Sequence, residues 1–191
     1  MKNAILLHGI DESRDLLMRY SRSPSNSHWF PWLQWELVKA GILLQTPEMP
    51  NPYLPDMNYE AWTKVFKQFE IDKDSILIGH SCGGGYLLKY LSMNPHIEIG
   101  HLILVAPWLD IDREHPTFFA DFELDANLRK RIKQIDLFYS ADDMDIIIKS
   151  VAKIKAVYGN DIVYHEFANK GHFCEDEIGT IFPELLQVIL A

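Results

Sequence analysis

The stretch Ser75-Ile76-Leu77-Ile78-Gly79-His80-Ser81-Cys82-Gly83-Gly84-Gly85 decides the fold. It begins with a short apolar run typical of a buried strand and continues into a segment with helical spacing. Between the two lies the pattern G-x-S-x-G, formed by Gly79, Ser81 and Gly83. This pattern predicts a sharp strand-to-helix turn in which the two glycines leave room for a strained backbone. We expect the Ser81 hydroxyl to be presented at the carboxyl edge of a sheet, as a nucleophile.

Two other interpretations of this segment remain open. One is a glycine-rich turn with an incidental serine, since a five-residue pattern also occurs by chance. The other is a phosphate-binding loop, although the dinucleotide fingerprint G-x-G-x-x-G and a Walker lysine are both absent here. The strand predicted before the pattern and the helix predicted after it favour the nucleophile.

The rest of the chain alternates short apolar runs with longer helical patterns, which is typical of a parallel sheet covered by helices on both faces. Strands are predicted at residues 4–7, 42–44, 75–78, 101–106, 135–139 and 162–167. Helices are predicted between Pro31 and Gly41, after Asn58, and at about residues 81–93, 145–158 and 183–190. We therefore expect an α/β fold with one domain over residues 1–191, built on a mostly parallel sheet of about six strands.

Composition and charge exclude several classes of partner. The 191 residues are 48% hydrophobic and 24% charged, which is ordinary for a globular protein. A net charge of −9 argues against binding to nucleic acid or to an anionic membrane surface. Two cysteines, and an N-terminal apolar run too short for a signal peptide, predict a cytoplasmic protein with free thiols. We expect a small-molecule substrate and no cofactor, and no protein partner is indicated.

A serine nucleophile needs a base, and the base needs an orienting acid. In hydrolases with this turn the chain order is serine, acid, histidine, with the acid after the second strand that follows the serine. Asp142 and Asp143 follow that strand, and His172 follows the last predicted strand. The order predicts Asp143 as the acid and His172 as the base. Asp142 is one alternative acid, and Asp110 or Asp112 after the preceding strand is another.

The oxyanion of an acyl-transfer intermediate is stabilised by two backbone N–H groups. We expect one from Cys82, directly after the nucleophile. The other is expected from Ile10, in the turn that follows the first strand at His8-Gly9. A glycine that simply ends the strand is the alternative interpretation of that turn.

Several further segments carry a resemblance to a known family. They are His28-Trp29-Phe30-Pro31-Trp32-Leu33, Met49-Pro50-Asn51-Pro52, Ala106-Pro107-Trp108, Tyr139-Ser140-Ala141-Asp142-Asp143 and Gly171-His172-Phe173. With the Ser81 turn, they resemble the small bacterial YdeN-like hydrolases, which are relatives of the retinoblastoma-binding-protein serine hydrolases. The resemblance covers nearly the whole chain. It implies a compact α/β-hydrolase fold, a triad at Ser81, Asp143 and His172, and esterase-type activity.

From these observations we expect a serine hydrolase that forms an acyl-enzyme at Ser81. A small carboxylic ester or thioester is the first substrate expected, and an amide the second. No metal site is expected, because no His-x-x-x-His or cysteine pair accompanies the aspartates. The alternative is a binding module on a hydrolase scaffold, with an aromatic surface that contacts a protein partner. That surface would be formed by Trp29, Phe30, Trp32 and Trp108.

The segment between the fourth and fifth strands is where such hydrolases carry a lid, and here it is short. We expect a short cap only, with a polar helix over residues 125–134 and an apolar patch before it. The patch, which consists of Trp108, Phe118, Phe119 and Phe122, is expected to line one wall of the substrate pocket. Packing of these rings onto the domain is the alternative.

Both cysteines lie close in sequence to predicted catalytic residues. Cys82 follows Ser81, and Cys174 lies two residues beyond His172. Two interpretations stay open: ordinary reduced thiols, or a redox-sensitive site in which oxidation stops turnover.

Overall fold

The computed structural model describes residues 2–10, 23–52, 57–120 and 122–191. Within these ranges six parallel strands form one sheet. The strands are β1 (Lys2–Leu7), β2 (Ile42–Gln45), β3 (Ile76–His80), β4 (Ile99–Val105), β5 (Ile132–Ser140) and β6 (Val163–Phe167). Their spatial order is β2-β1-β3-β4-β5-β6, so the direction of winding reverses beside β1. Ligands of open parallel sheets bind at the carboxyl edge near such a reversal, which is where β1 and β3 end.

Helices connect the strands and bury the sheet. They are α1 (Phe30–Lys39), α2 (Tyr59–Phe66), α3 (Cys82–Met93), α4 (Pro116–Phe119), α5 (Asp145–Tyr158), α6 (Glu175–Ile178) and α7 (Pro183–Leu190). Consecutive residues of a strand point to opposite faces, and every residue of β3 is buried, so both faces of the sheet are covered. Of the helices in the described ranges, none is both long and apolar enough to cross a membrane.

Local sequence signals account for the ends of these helices. The Asn58 side chain accepts a hydrogen bond from the Ala61 amide at 2.9 Å and caps α2. Prolines at the first positions of α1 and α7 lack an N–H group that the first turn leaves unpaired in any case. The predicted parallel α/β fold is confirmed, and α5 and α7 have the predicted bounds.

The predicted polar helix over residues 125–134 is wrong. The segment contains only a short 3-10 turn at Leu128–Lys130, and β5 begins at Ile132, which pairs with Ile99 of β4. Arg131 fixes this path, since its guanidinium donates to the Ile97 carbonyl at 2.8 Å and to the Asp125 carboxylate at 3.1 Å. Pairing in the sheet overrides the helical propensity of the charged residues.

A buried carboxylate joins the last three strands of the sheet. Asp136 on β5 accepts hydrogen bonds at 2.6 Å from Nε2 of His101 on β4 and at 2.6 Å from Nε2 of His165 on β6. Gln134 donates to the same carboxylate at 2.8 Å. Burial alone raises the pKa of Asp136, but the hydrogen bonds from His101, His165 and Gln134 outweigh it and hold the pKa below its usual value. The ionised carboxylate therefore stabilises this end of the sheet.

We expect Asp136→Asn to lower the free energy of unfolding at pH 7 by about 2 kcal/mol, the scale of charge-assisted hydrogen bonds. The folded-state pKa is depressed, so the contribution of the carboxylate is present above the unfolded pKa of about 3.9 and is lost as the pH falls through the folded pKa. Urea unfolding of wild type and variant between pH 7 and pH 3 measures the effect, with exposed Asp161→Asn as the control. A difference that does not shrink toward pH 3 would contradict this account.

Candidate active site

Ser81 lies in the turn between β3 and α3 with a strained backbone. Its φ of 52° and ψ of −120° place it in a region that residues with a side chain rarely occupy. The Ser81 amide donates to the Val105 carbonyl at 2.9 Å, and the Ser81 carbonyl accepts from the Trp108 amide at 3.0 Å. The neighbouring strand and the segment after it thus hold the conformation from outside the turn.

Close backbone approaches require the glycines of this turn. A Cβ at Gly79 would lie 2.5 Å from the Gly84 backbone, and one at Gly83 would lie 2.6 Å from the His8 carbonyl oxygen. A Cβ at Gly9 would lie 2.9 Å from the Ser81 Cβ. The loop after β1 therefore passes directly against the candidate nucleophile, as the winding reversal beside β1 leads one to expect.

The two candidate oxyanion donors belong to Cys82, which follows Ser81, and to Ile10, which follows Gly9. Cys82 is the first residue of α3, where helical amides have no partner within the helix and the helix dipole is positive. Ile10 follows Gly9, whose carbonyl accepts a hydrogen bond from Nδ1 of buried His8 at 2.6 Å. Because a trans peptide directs its C=O and N–H to opposite sides, His8 fixes the direction of the Ile10 N–H.

His8 itself is oriented by a second hydrogen bond. Its Nε2 accepts from the Met49 amide at 2.9 Å, so the proton of the neutral ring lies on Nδ1. Local sequence patterns assign no role to the His8 side chain, because its partner Met49 is 41 residues away in the chain. The position of a histidine beside the Gly9 turn was the signal that could have indicated it.

The structure brings Asp143 and His172 together at the ends of neighbouring strands. Nδ1 of His172 lies 3.0 Å and 3.1 Å from the two carboxylate oxygens of Asp143. The Asp143 side chain is 1% exposed and the His172 side chain 13% exposed. The Met144 amide also donates to Asp143, at 2.7 Å. A carboxylate in this position fixes the imidazole and leaves its Nε2 to exchange protons.

Asp142 makes a different contact. Its carboxylate accepts from the Ser140 hydroxyl at 2.5 Å and from the Gly171 amide at 3.0 Å. The hydrogen bond from Ser140 lowers the pKa of Asp142 the most, and the one from Gly171 lowers it further. Asp142 thus contacts the backbone beside His172, whereas Asp143 contacts its imidazole.

The other alternative acids have partners of their own. Asp110 is buried and accepts hydrogen bonds from the Glu114 and His115 amides at 3.0 Å and 2.8 Å. Asp112 lies 2.6 Å from the Lys149 ammonium. Both contacts order the segment after β4.

The histidine turn touches the nucleophile turn through His80. Nε2 of His80 lies 2.8 Å from the His172 carbonyl oxygen, and the two imidazole rings are 5.0 Å apart. Since His80 directly precedes Ser81, this contact links the turn that carries His172 to the turn that carries Ser81.

The four residues of the predicted pocket wall pack in different surroundings. Phe118 is fully buried against Trp62, with ring centroids 5.1 Å apart, and Trp108 packs on Phe119 at 5.2 Å. Phe119 and Phe122 line a cavity of about 700 Å³ between the segment after β4 and α5. Ser81, Asp143 and His172 are not among its described lining residues. Trp108, Phe118 and Phe119 thus belong to the core, as the packing alternative describes, and Phe119 also borders this cavity.

Burial also weakens two further hypotheses. Trp29, Phe30 and Trp108 are at most 5% exposed, so most of the proposed aromatic binding surface is inaccessible to a partner.

Burial, followed by the charge of Glu177, raises the pKa of Cys174 to about 12. Burial likewise raises the pKa of Cys82 well above its usual value. Because the thiolate is the reactive form, these environments do not favour a redox-sensitive site.

Comparisons with known proteins find chains of similar sequence and fold. The putative hydrolase YdeN of Bacillus subtilis (strain 168) is 29% identical over 175 residues, which cover 88% of this chain and 90% of that protein. The crystal structure of the ydeN gene product from B. subtilis matches with a TM-score of 0.79 at 24% identity, covering 99% of this chain and 97% of that one. A putative yden-like hydrolase from Pectobacterium atrosepticum matches with a TM-score of 0.60 at 18% identity, covering 99% and 89%.

These structural matches confirm the α/β-hydrolase fold. The curated YdeN relative is itself a putative hydrolase, which favours a hydrolytic function over a binding module. The family model described as Serine hydrolase matches residues 17–190. The chain therefore belongs to the serine hydrolase family, as the nucleophile turn predicted.

Proposed function

We propose that this serine hydrolase is an esterase-type enzyme with Ser81 as nucleophile, His172 as base and Asp143 as orienting acid. The observation that carries the proposal is the contact of His172 Nδ1 with both oxygens of the buried Asp143 carboxylate, at 3.0 Å and 3.1 Å. The strained turn at Ser81 supports it, because strain of this kind is found where a side chain must be presented for chemistry.

The reaction begins when Nε2 of His172 takes the proton of the Ser81 hydroxyl. The Ser81 oxygen attacks the ester carbonyl, and the tetrahedral intermediate collapses as the bond to the alcohol oxygen breaks. His172 gives its proton to the departing alcohol, which leaves an acyl group on Ser81. Water then attacks the acyl-enzyme, with His172 again as base. The bond between the acyl carbon and Ser81 Oγ breaks, His172 returns the proton to Oγ, and the carboxylic acid departs.

Negative charge on the substrate oxygen is stabilised by the backbone amides of Cys82 and Ile10. Cys82 contributes the positive end of the α3 dipole as well as its N–H group. Ile10 contributes an N–H group whose direction His8 sets through the Gly9 carbonyl. Both donors belong to the backbone and are in place before the substrate arrives, so little reorganisation accompanies the reaction.

We propose a small carboxylic ester or thioester as substrate, because the segment between β4 and β5 is too short to cover the site at Ser81. In the described residues it contains only the four-residue α4 and the short turn at Leu128–Lys130. Three of its four large aromatic residues, Trp108, Phe118 and Phe119, are buried in the core. A long acyl chain would therefore find little apolar surface to occupy beside Ser81.

Ser81→Ala is expected to abolish covalent labelling by a fluorophosphonate probe, since the variant lacks the attacking oxygen. Alanine retains the Cβ that the strained backbone already accommodates, so the thermal midpoint should move by no more than a few degrees. Gel fluorescence after labelling, beside differential scanning fluorimetry, measures both effects. Ser92→Ala, near the other end of α3, is the control and should label normally. Labelling of Ser81→Ala at the wild-type level would disprove the assignment.

The two adjacent aspartates are expected to behave differently. Asp143→Asn should lower kcat on p-nitrophenyl acetate by about 10⁴-fold, as loss of the orienting carboxylate does in a serine triad. Asp142→Asn keeps an oxygen that accepts from Ser140 and Gly171, so its kcat should fall by less than about tenfold. Steady-state kinetics of the two variants decides between them, and the reverse ranking would assign the acid to Asp142.

The acyl chain length of the substrate tests whether the site at Ser81 is open, as the short segment between β4 and β5 implies. On p-nitrophenyl esters from acetate to palmitate, kcat/KM should be highest for short chains and at least about tenfold lower for palmitate. A methylene contributes about 0.8 kcal/mol only where it is buried, and little burial is offered here. A maximum at the long-chain end, or a jump in rate above the micelle concentration, would be incompatible with an open site.

A further inference from the structure

The loop that carries the candidate base has a conformation that its own residues do not favour. This histidine loop, residues 168–174, follows β6 and ends where α6 begins. Gly171 has a φ of 51° and Phe173 a φ of 60°, on either side of His172. A positive φ is unfavourable for phenylalanine, so contacts from elsewhere in the fold must hold the loop.

His80 supplies one such contact at His172 itself. The His172 carbonyl can only accept a hydrogen bond, so Nε2 of His80, 2.8 Å away, carries the proton and donates it. His80 is 3% exposed, and its ring lies against those of His28, Trp29 and Phe30. The donor is therefore held on the side of the loop that faces the core.

The surroundings of His80 keep it neutral. Burial, and then the nearby His172 and His28, lower the pKa of His80 well below its usual value. A neutral imidazole has one N–H group, and here that group is used by the His172 carbonyl. His80 is therefore unsuited to act as a second base beside Ser81.

Trp29 and His28 form hydrogen bonds with the residues that follow His172. The Trp29 indole N–H donates to the Phe173 carbonyl at 3.1 Å, and His28 Nδ1 accepts from the Glu175 amide at 3.1 Å. The Phe173 ring is fully buried and stacks on Phe182 at 5.3 Å. His28 and Trp29, directly before α1, thus contact the end of the histidine loop and the start of α6.

We infer that His80 is a positioning residue that sets the separation of nucleophile and base through its hydrogen bond to the His172 carbonyl. Its backbone leads directly into the Ser81 turn, while its side chain holds the residue that must take the Ser81 proton. A shift of about 1 Å between reacting groups costs on the order of 100-fold in rate. The inference rests on the triad proposed above.

Two amide variants test this role with matched polarity. In His80→Gln the side-chain N–H group reaches about as far as Nε2, whereas in His80→Asn it stops one methylene short. We expect kcat on a short p-nitrophenyl ester to fall by about 10- to 100-fold in His80→Asn, with KM within about twofold. His80→Gln should keep kcat within about fivefold of wild type. His101→Gln, which changes a buried, hydrogen-bonded histidine far from Ser81 in the sheet, should leave kcat unchanged.

Crystal structures of wild type and His80→Asn give a second readout that does not depend on activity. We expect the His172 carbonyl to move in the variant and the distance from Nδ1 to the Asp143 carboxylate to exceed 3.5 Å. Equal kcat in both amide variants, or an unmoved histidine loop in His80→Asn, would overturn the inference. A wild-type protein that neither labels nor hydrolyses esters would instead refute the proposed function, and the two structures would still decide the role of His80.

Discussion

The backbone of Ser81 is the constraint on which the site depends. Its φ of 52° and ψ of −120° are unfavourable by on the order of 1–3 kcal/mol for a residue with a side chain. Hydrogen bonds to Val105 and Trp108 hold this conformation from the next strand and the segment beyond it. Closely packed glycines leave the space it needs. Burial of β3 and β4 in the sheet thus supplies the energy that holds the strained backbone of the proposed nucleophile.

The topology of the sheet explains how distant residues meet at this turn. Parallel strands end at the same edge, and the winding reverses beside β1, so the turns after β1 and β3 lie side by side. The turn after β1 carries Ile10, and the turn after β3 carries Ser81 and Cys82. β5 and β6 are neighbours with the same direction, which brings Asp143 and His172 together although 29 positions separate them. The chain order serine, acid, histidine therefore follows from the order of the strands.

Periodicity and motif spacing predicted much of this architecture. The six strands, the bounds of α5 and α7 and the position of Ser81 could all be derived from local patterns. Spacing alone could not separate Asp142 from Asp143, because the difference depends on the direction of two adjacent side chains in a turn. The polar helix expected over residues 125–134 is replaced by a short 3-10 turn and the start of β5, since pairing with β4 is a tertiary contact that propensity does not register.

The residues that orient the site were the hardest to find from sequence. His8 and His80 act through contacts with Met49 and His172, which are 41 and 92 residues away. A local pattern does not show the partners of such long-range contacts, although a histidine beside a glycine turn is a weak signal of the role. Both histidines stand beside glycine turns that present backbone groups, and in each case the side chain holds a carbonyl at 2.6–2.8 Å. Side-chain hydrogen bonds to the backbone thus set the geometry around Ser81 on both sides.

The crystal structure of the protein after reaction with a fluorophosphonate tests the central claim most directly. The account predicts a phosphorus atom bonded to Ser81 Oγ, with its phosphoryl oxygen within about 3.1 Å of the amide nitrogens of both Cys82 and Ile10. An adduct on another residue would contradict it. So would a phosphoryl oxygen directed away from both amides.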